Sequence, residues 1–130
     1  MNAIQTERHR LQALLKDVNT SNGFQLTVLA DRQGLPLAWA HQGAASPERY
    51  SAAVALLNRT IGQIRAQLDW PEIDEMAIAD ERGNTLICRT LTVKQQVMSL
   101  VVVADKYQSY RRAMNQTLQA IESLLSQPAA

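Results

Sequence analysis

The stretch Ser46 to Leu68, SPERYSAAVALLNRTIGQIRAQL, decides the fold of this chain. It opens with Ser46 placed to cap a helix, Pro47 at the first helical position and Glu48 beside the positive end of the helix dipole. At about 100° per residue, Tyr50, Val54, Leu57, Ile61, Ile64 and Leu68 share one broad face, which the pattern docks on the chain's own core. A second stripe, well round the cylinder, holds Ser51, Ala55, Asn58, Gly62 and Ala66, all small or uncharged and spaced for a close backbone approach. Arg59 is the only charge between Ser51 and Ile64. A surface helix ordinarily shows water a mixed-charge face, so the second stripe is expected to lie under a second surface, read here as a subunit interface. Helix propensity alone also accounts for Ala and Ser at such positions, and the charge gap is what favours the interface.

Working outward, the pattern predicts an earlier helix over about Asn2 to Asn19, with Ile4, Leu11, Leu14, Leu15 and Val18 at helical spacing, ended by Thr20-Ser21-Asn22-Gly23. Phe24 to Ala30 alternates apolar with polar, and Leu35 to His41 makes a second extended run after Asp31-Arg32-Gln33-Gly34, so the two read as a hairpin. Gly34 supplies the positive φ that a bulged turn needs, and Pro36 lacks a backbone donor, which puts the second strand at an edge. The loop Gln42 to Ala45 leads into the central helix, which ends near Asp69-Trp70-Pro71.

Three more strands are expected, at Glu72 to Asp80, Thr85 to Val93 and Gln96 to Ala104, joined by Glu81-Arg82-Gly83-Asn84 and by a tight connection near Lys94. Short connections imply an antiparallel meander. The run from Val97 to Ala104 is apolar on both faces and belongs mid-sheet with helices on both sides. The strand from Glu72 begins acidic, as an edge does, while Met76-Ala77-Ile78-Ala79 is suited to pairing with another chain. A last helix from about Lys106 to Ser126 carries Tyr107, Tyr110, Met114, Leu118, Ile121 and Leu125 on one face, and Gln127 to Ala130 reads as a frayed tail.

With 130 residues, 46% hydrophobic and 19% charged, the chain suits one domain, residues 1–130, with a real core. Thirteen basic and twelve acidic residues are scattered without a basic block, so no electrostatic footprint for nucleic acid or an anionic membrane is present. Cys88 is the only cysteine, which rules out an internal disulfide and fits a reducing cytoplasm. The amino terminus does not resemble a secretion signal, and no segment has the length of a membrane span.

Three segments together resemble the roadblock/dynein light-chain domain family, over about Ile4 to Leu125. They are Leu26 to Ala30 with Asp31-Arg32-Gln33-Gly34-Leu35-Pro36-Leu37-Ala38, the Ala-rich Ala52-Ala53-Val54-Ala55-Leu56-Leu57, and Gly83 to Arg89 followed by the Val-rich strand. The order and spacing of the three carry the resemblance, since each alone is common. It implies an α+β fold: a five-stranded antiparallel sheet in order 2-1-5-4-3, one long helix on one face and the amino- and carboxy-terminal helices on the other. It implies a homodimer formed by pairing third strands (Met76, Ala77, Ile78, Ala79) and packing central helices through the Ser51 to Ala66 stripe. Family members serve as adaptors, dynein-associated chains or regulators of Ras-like small GTPases, and the bacterial GTPase-activating branch is compatible with this sequence. The expectation is therefore a cytoplasmic, non-enzymatic homodimer that binds a Ras-like GTPase, with a structural adaptor in a homo- or heterodimer as the alternative.

Chemistry-bearing residues point the same way. No P-loop sequence occurs, so any GTP is held by a partner. His9, His41 and Cys88 fall on three different elements without ligand spacing, and no metal or cofactor is expected. Ser46, Ser51 and Ser99 lack a nucleophile-elbow setting. Asp31 and Asp80 occupy matching Asp-x-x-Gly turns, which explains both carboxylates. Arg49, Arg59 and Arg65 on the central helix are the candidate partner contacts, because an arginine supplied in trans stabilises charge on a transferring phosphoryl group; solvated helix residues are the more ordinary reading.

Overall fold

The computed structural model describes residues 7–43 and 46–127. Helix α1 runs Arg8–Asn22, followed by β1 Leu26–Asp31, β2 Pro36–His41, α2 Pro47–Leu68, β3 Glu75–Ala79, β4 Thr85–Val93, β5 Gln96–Ala104 and α3 Arg111–Ser126. Ile4 and the rest of the expected helical start, residues 44–45 of the expected loop, and the expected tail past Gln127 lie outside the described residues. The strands form one antiparallel sheet in order β2-β1-β5-β4-β3, as expected, with α2 on one face and α1 and α3 on the other.

Alternation along β5 explains the layers. Leu100 and Val102 point into the larger core with Leu11 and Leu15 of α1, Met114, Ile121 and Leu125 of α3, and Phe24, Leu29 and Ile87. Val101 and Val103 point the other way, to Val54 of α2, with Leu26, Val28 and Cys88 beside them. A strand apolar on both faces is stable only where both are covered, so β5 sits between β1 and β4. One polar pair lies within the larger layer: Thr27 Oγ1 donates to Asn19 Oδ1 at 2.8 Å, which satisfies both buried groups.

The two Asp-x-x-Gly turns are built alike. Asp31 Oδ1 accepts from the N–H groups of Gln33 and Leu35, and Asp80 Oδ1 accepts from those of Arg82 and Asn84, each at 2.8–2.9 Å. The β4–β5 connection is a two-residue turn in which Lys94 and Gln95 both take positive φ, 50° and 67°. Ser46 caps α2 through its Oγ, which accepts from Arg49 N–H at 3.3 Å.

Several boundaries differ from the sequence reading. Helix α1 continues three residues past Asn19, because left-handed Gly23 and the following Phe24 donate back to Thr20 and Asn19 in a Schellman-type close. Strand β3 starts at Glu75 rather than Glu72, after a connector held by Arg65, whose Nε donates to Pro71 O at 3.0 Å. Helix α3 starts at Arg111 rather than near Lys106. The Gln108 side chain accepts from Asp105 N–H and donates to Asn22 O, and Tyr107 adopts φ 65°, which a helix cannot include. Tyr107, expected on the buried face, is consequently 92% exposed.

Candidate interaction surface

The face of α2 turned away from solvent runs along Pro47, Ser51, Val54, Asn58, Ile61 and Arg65, at alternating spacings of four and three. Pro47, Ser51 and Val54 are buried, and Asn58 Nδ2 donates to Ser99 Oγ on β5 at 3.2 Å. What draws the helix in is Gly34, in the β1–β2 turn with φ +88°. A Cβ there would lie 2.7 Å from both the Ser51 carbonyl oxygen and the Ala55 Cβ, so turn and helix touch backbone to backbone.

That contact corrects the sequence reading of the two stripes. Ser51, Ala55 and Asn58, expected between subunits, face the chain's own sheet, and Ser51 is 1% exposed. Small residues sit there because the helix approaches its own turn closely. Gly62 and Ala66 of the same stripe are exposed. In return Ile64 and Leu68, expected in the core, point outward with Leu56, Leu68 being 53% exposed. The helix is therefore rotated about its axis from the expected setting.

The closest approach of α2 is to β2 and β1, at one side of the sheet. On the other side, the β3–β4 register places Met76 and Ile78 of β3 and Leu86, Cys88, Thr90 and Thr92 of β4 on the α2 face. Cys88 is buried, and burial pushes its thiol pKa up, partly opposed by a hydrogen bond with Ser99. Thr90 and Thr92 are exposed, Met76 and Leu86 are half-buried, and Ile78 is 48% exposed. Trp70, just past the end of α2, is exposed as well. Apolar surface thus collects on the α2 face, on the outer side of the helix and on the β3 side of the sheet.

The two edges of the sheet differ. Because Asp80 N–H donates to Asn84 O, ladder alternation turns the N–H and C=O groups of Glu75, Ala77 and Ala79 away from β4, and among the described residues no strand lies beyond them. At the opposite edge Trp39 N–H donates to Gln12 Oε1 of α1 at 3.0 Å, and Gln12 Nε2 donates to Trp39 O. The β3 edge is open and the β2 edge is occupied. Met76, Ala77, Ile78 and Ala79 all belong to the open strand, so the structure brings these four expected interface residues together.

The arginines do not form one site. Arg65 is bound up with the connector through Pro71 O and a 3.1 Å ion pair with Glu72. Arg49 and Arg59 are exposed, ten residues apart on the helix. A mixed-charge cleft that the sequence reading missed lies where β3 begins, with Arg89 paired to Asp74 at 3.6 Å and Arg111 to Glu75 at 3.4 Å. Its partners come from three elements and a connector, and no local sequence pattern marks them. Among the described residues no group of three or more His, Cys, Asp and Glu side chains could hold a metal ion, and no helix is long and apolar enough to cross a membrane.

Solved structures share this architecture at low sequence identity. Myxococcus xanthus MglB aligns over 88% of this chain and 94% of its own, at 15% identity with a TM-score of 0.73. A structure described as MglB with tetrameric arrangement aligns over 90% of this chain and 88% of its own, at 17% identity and a TM-score of 0.74. A roadblock/LC7 domain from Streptomyces avermitilis aligns over 89% of this chain and 98% of its own, at 13% identity and a TM-score of 0.71. No family model matches the sequence, and no curated protein does. The chain has the roadblock/LC7 fold.

Proposed function

We propose that this roadblock/LC7 fold serves as a non-enzymatic, cytoplasmic regulatory module that works as a homodimer and binds a Ras-like small GTPase, modulating its GTP hydrolysis. The observation that carries the dimer is the open β3 edge with Met76 and Ile78 beside it. Unpaired edges invite strand addition, and a two-fold axis at Ala77 lets each subunit's Glu75, Ala77 and Ala79 bond the other's Ala79, Ala77 and Glu75. The same axis sets Met76 of one subunit against Ile78 of the other and extends the sheet to ten strands. The revised helix setting supports a second layer of contact through Leu56, Ile64 and Leu68, in place of Ser51, Ala55 and Asn58.

The GTPase reading draws on the family resemblance of the sequence and on the likeness of the fold to MglB. Its test is to mix the purified protein with a GTP-loaded Ras-like GTPase from the same source, measuring complex formation and phosphate release. A complex with altered hydrolysis is the expected result; no complex and an unchanged rate would contradict the reading. The adaptor alternative is favoured by one observation: Arg65 is committed to Pro71 and Glu72, and Arg49 and Arg59 lie apart, which is no arrangement for an arginine delivered to a phosphate. Binding without a rate change, or co-purification with an assembly lacking a GTPase, would select the adaptor.

A further inference from the structure

We infer that Gln12 closes the β2 edge by standing in for a neighbouring strand, and so limits how many copies of this chain a sheet can join. A carboxamide carries the same donor and acceptor as a peptide group. Gln12 presents both to one residue: its Oε1 accepts from Trp39 N–H at 3.0 Å and its Nε2 donates to Trp39 O. This is the pair of bonds that an antiparallel partner residue would make.

Trp39 is the position at which such a mimic is effective. Gln42 N–H donates inward to Gln25 O, so alternation along β2 turns Ala40 toward β1 and Trp39 and His41 outward. On the other flank the register slips between Leu29 and Ala30, leaving Leu37 in a bulge, and Pro36 has no N–H. An incoming strand would find Trp39 occupied, a bulge and a proline before it, and only His41 after it. Gln12 reaches the edge from α1, whose Leu11 and Leu15 are fixed in the larger core, so the carboxamide is held by a rigid element.

The consequence concerns assembly. A chain with two open edges polymerises edge to edge, whereas a chain with one closes as a pair. With Gln12 replaced, the partner that fits the β2 edge is the β2 strand of a second copy. Gln12→Leu keeps the stem and removes both bonds, and Gln12→Ala removes the stem as well.

The test is the mass of each variant by light scattering against the parent over a wide concentration range, with circular dichroism confirming the fold. The expected result is at least a doubling of the parent's mass at high concentration. An unchanged mass in both folded variants overturns the inference. Because the comparison is with the parent, it reads the β2 edge whether or not the parent pairs through β3. Hydrogen exchange at the Trp39 amide of the unaltered protein supplies a second reading that does not depend on a variant folding. Protection of at least tenfold over the outward-facing His41 amide of the same strand supports the inference; equal exchange overturns it.

Discussion

Replacing Gly34 with alanine is predicted to cost about 2–5 kcal/mol of folding stability, far more than the same change at Gly23. Both glycines have positive φ, +88° and +66°. An L-residue in the left-handed region costs roughly 1–2 kcal/mol, and that part is common to the two. They differ in what the new methyl group meets: nothing within 4 Å at Gly23, but the Ser51 carbonyl oxygen and the Ala55 Cβ at 2.7 Å at Gly34. Neither atom can swing away, so α2 as a whole must lift, loosening Val54 from Val28 and Val101; overpacking of this kind costs about 1–3 kcal/mol. Urea unfolding of both variants at one protein concentration measures the difference, with fixed concentration removing any contribution from self-association. Gly34→Ala should lie at least about 1 kcal/mol below Gly23→Ala. Equal losses would refute the close seating of α2 on the turn, and with it the rotated setting of the helix.

Other expectations follow from single groups. Hydrogen bonds from the Asn84 side chain first, then from backbone N–H groups at Asn84, Arg82 and Gly83, hold the Asp80 carboxyl below its ordinary value of 3.8. A depressed carboxyl stabilises the fold above the unfolded value and loses that effect as pH falls through the lower folded one, so Asp80→Asn should flatten the acid limb of a stability profile below about pH 4. An unaltered limb would show that the turn contributes nothing there. Cys88 is buried with its thiol pKa raised, so a thiol reagent at neutral pH should label it only at the rate of opening; fast labelling in native buffer would mean that the α2 layer does not cover it. Ser51 Oγ is buried without a partner among the described residues, so Ser51→Ala should be neutral or stabilise by up to about 1 kcal/mol, and a loss larger than that would reveal a bond to this hydroxyl.

Much of the architecture could be read from local pattern. Pro36 marked β2 as an edge, the double-faced run through Val101 and Val103 marked β5 as central, and Ser46 with Pro47 marked the start of α2, because each property is a constraint on the residue's own backbone or faces. The rotation of α2 could not be read that way. Small residues at Ser51 and Ala55 fit equally a partner helix or the chain's own turn, and what decides is Gly34, seventeen residues away in another element. Asn58 likewise fits a subunit contact until Ser99 is known to lie beneath it. Ile64 and Leu68 read as core residues in the sequence because hydrophobicity alone does not say which apolar face of a helix is inside. The role of Gln12 was hidden for a related reason: a polar residue on an amphipathic helix reads as solvated, and its partner is the backbone of Trp39, which carries no side-chain signature.

The most direct test of the proposed assembly is the solution mass of Ala77→Pro beside the unaltered protein. Ala77 N–H points away from β4, so proline removes no bond from the subunit's own ladder, while it deletes one donor per subunit at the two-fold axis and crowds the joint. Two lost hydrogen bonds weaken pairing by about 1–3 kcal/mol before steric terms are added. The account predicts twice the chain mass for the unaltered protein and the chain mass for a folded Ala77→Pro. A folded variant that keeps the dimer mass, or an unaltered protein that is monomeric throughout, would contradict it.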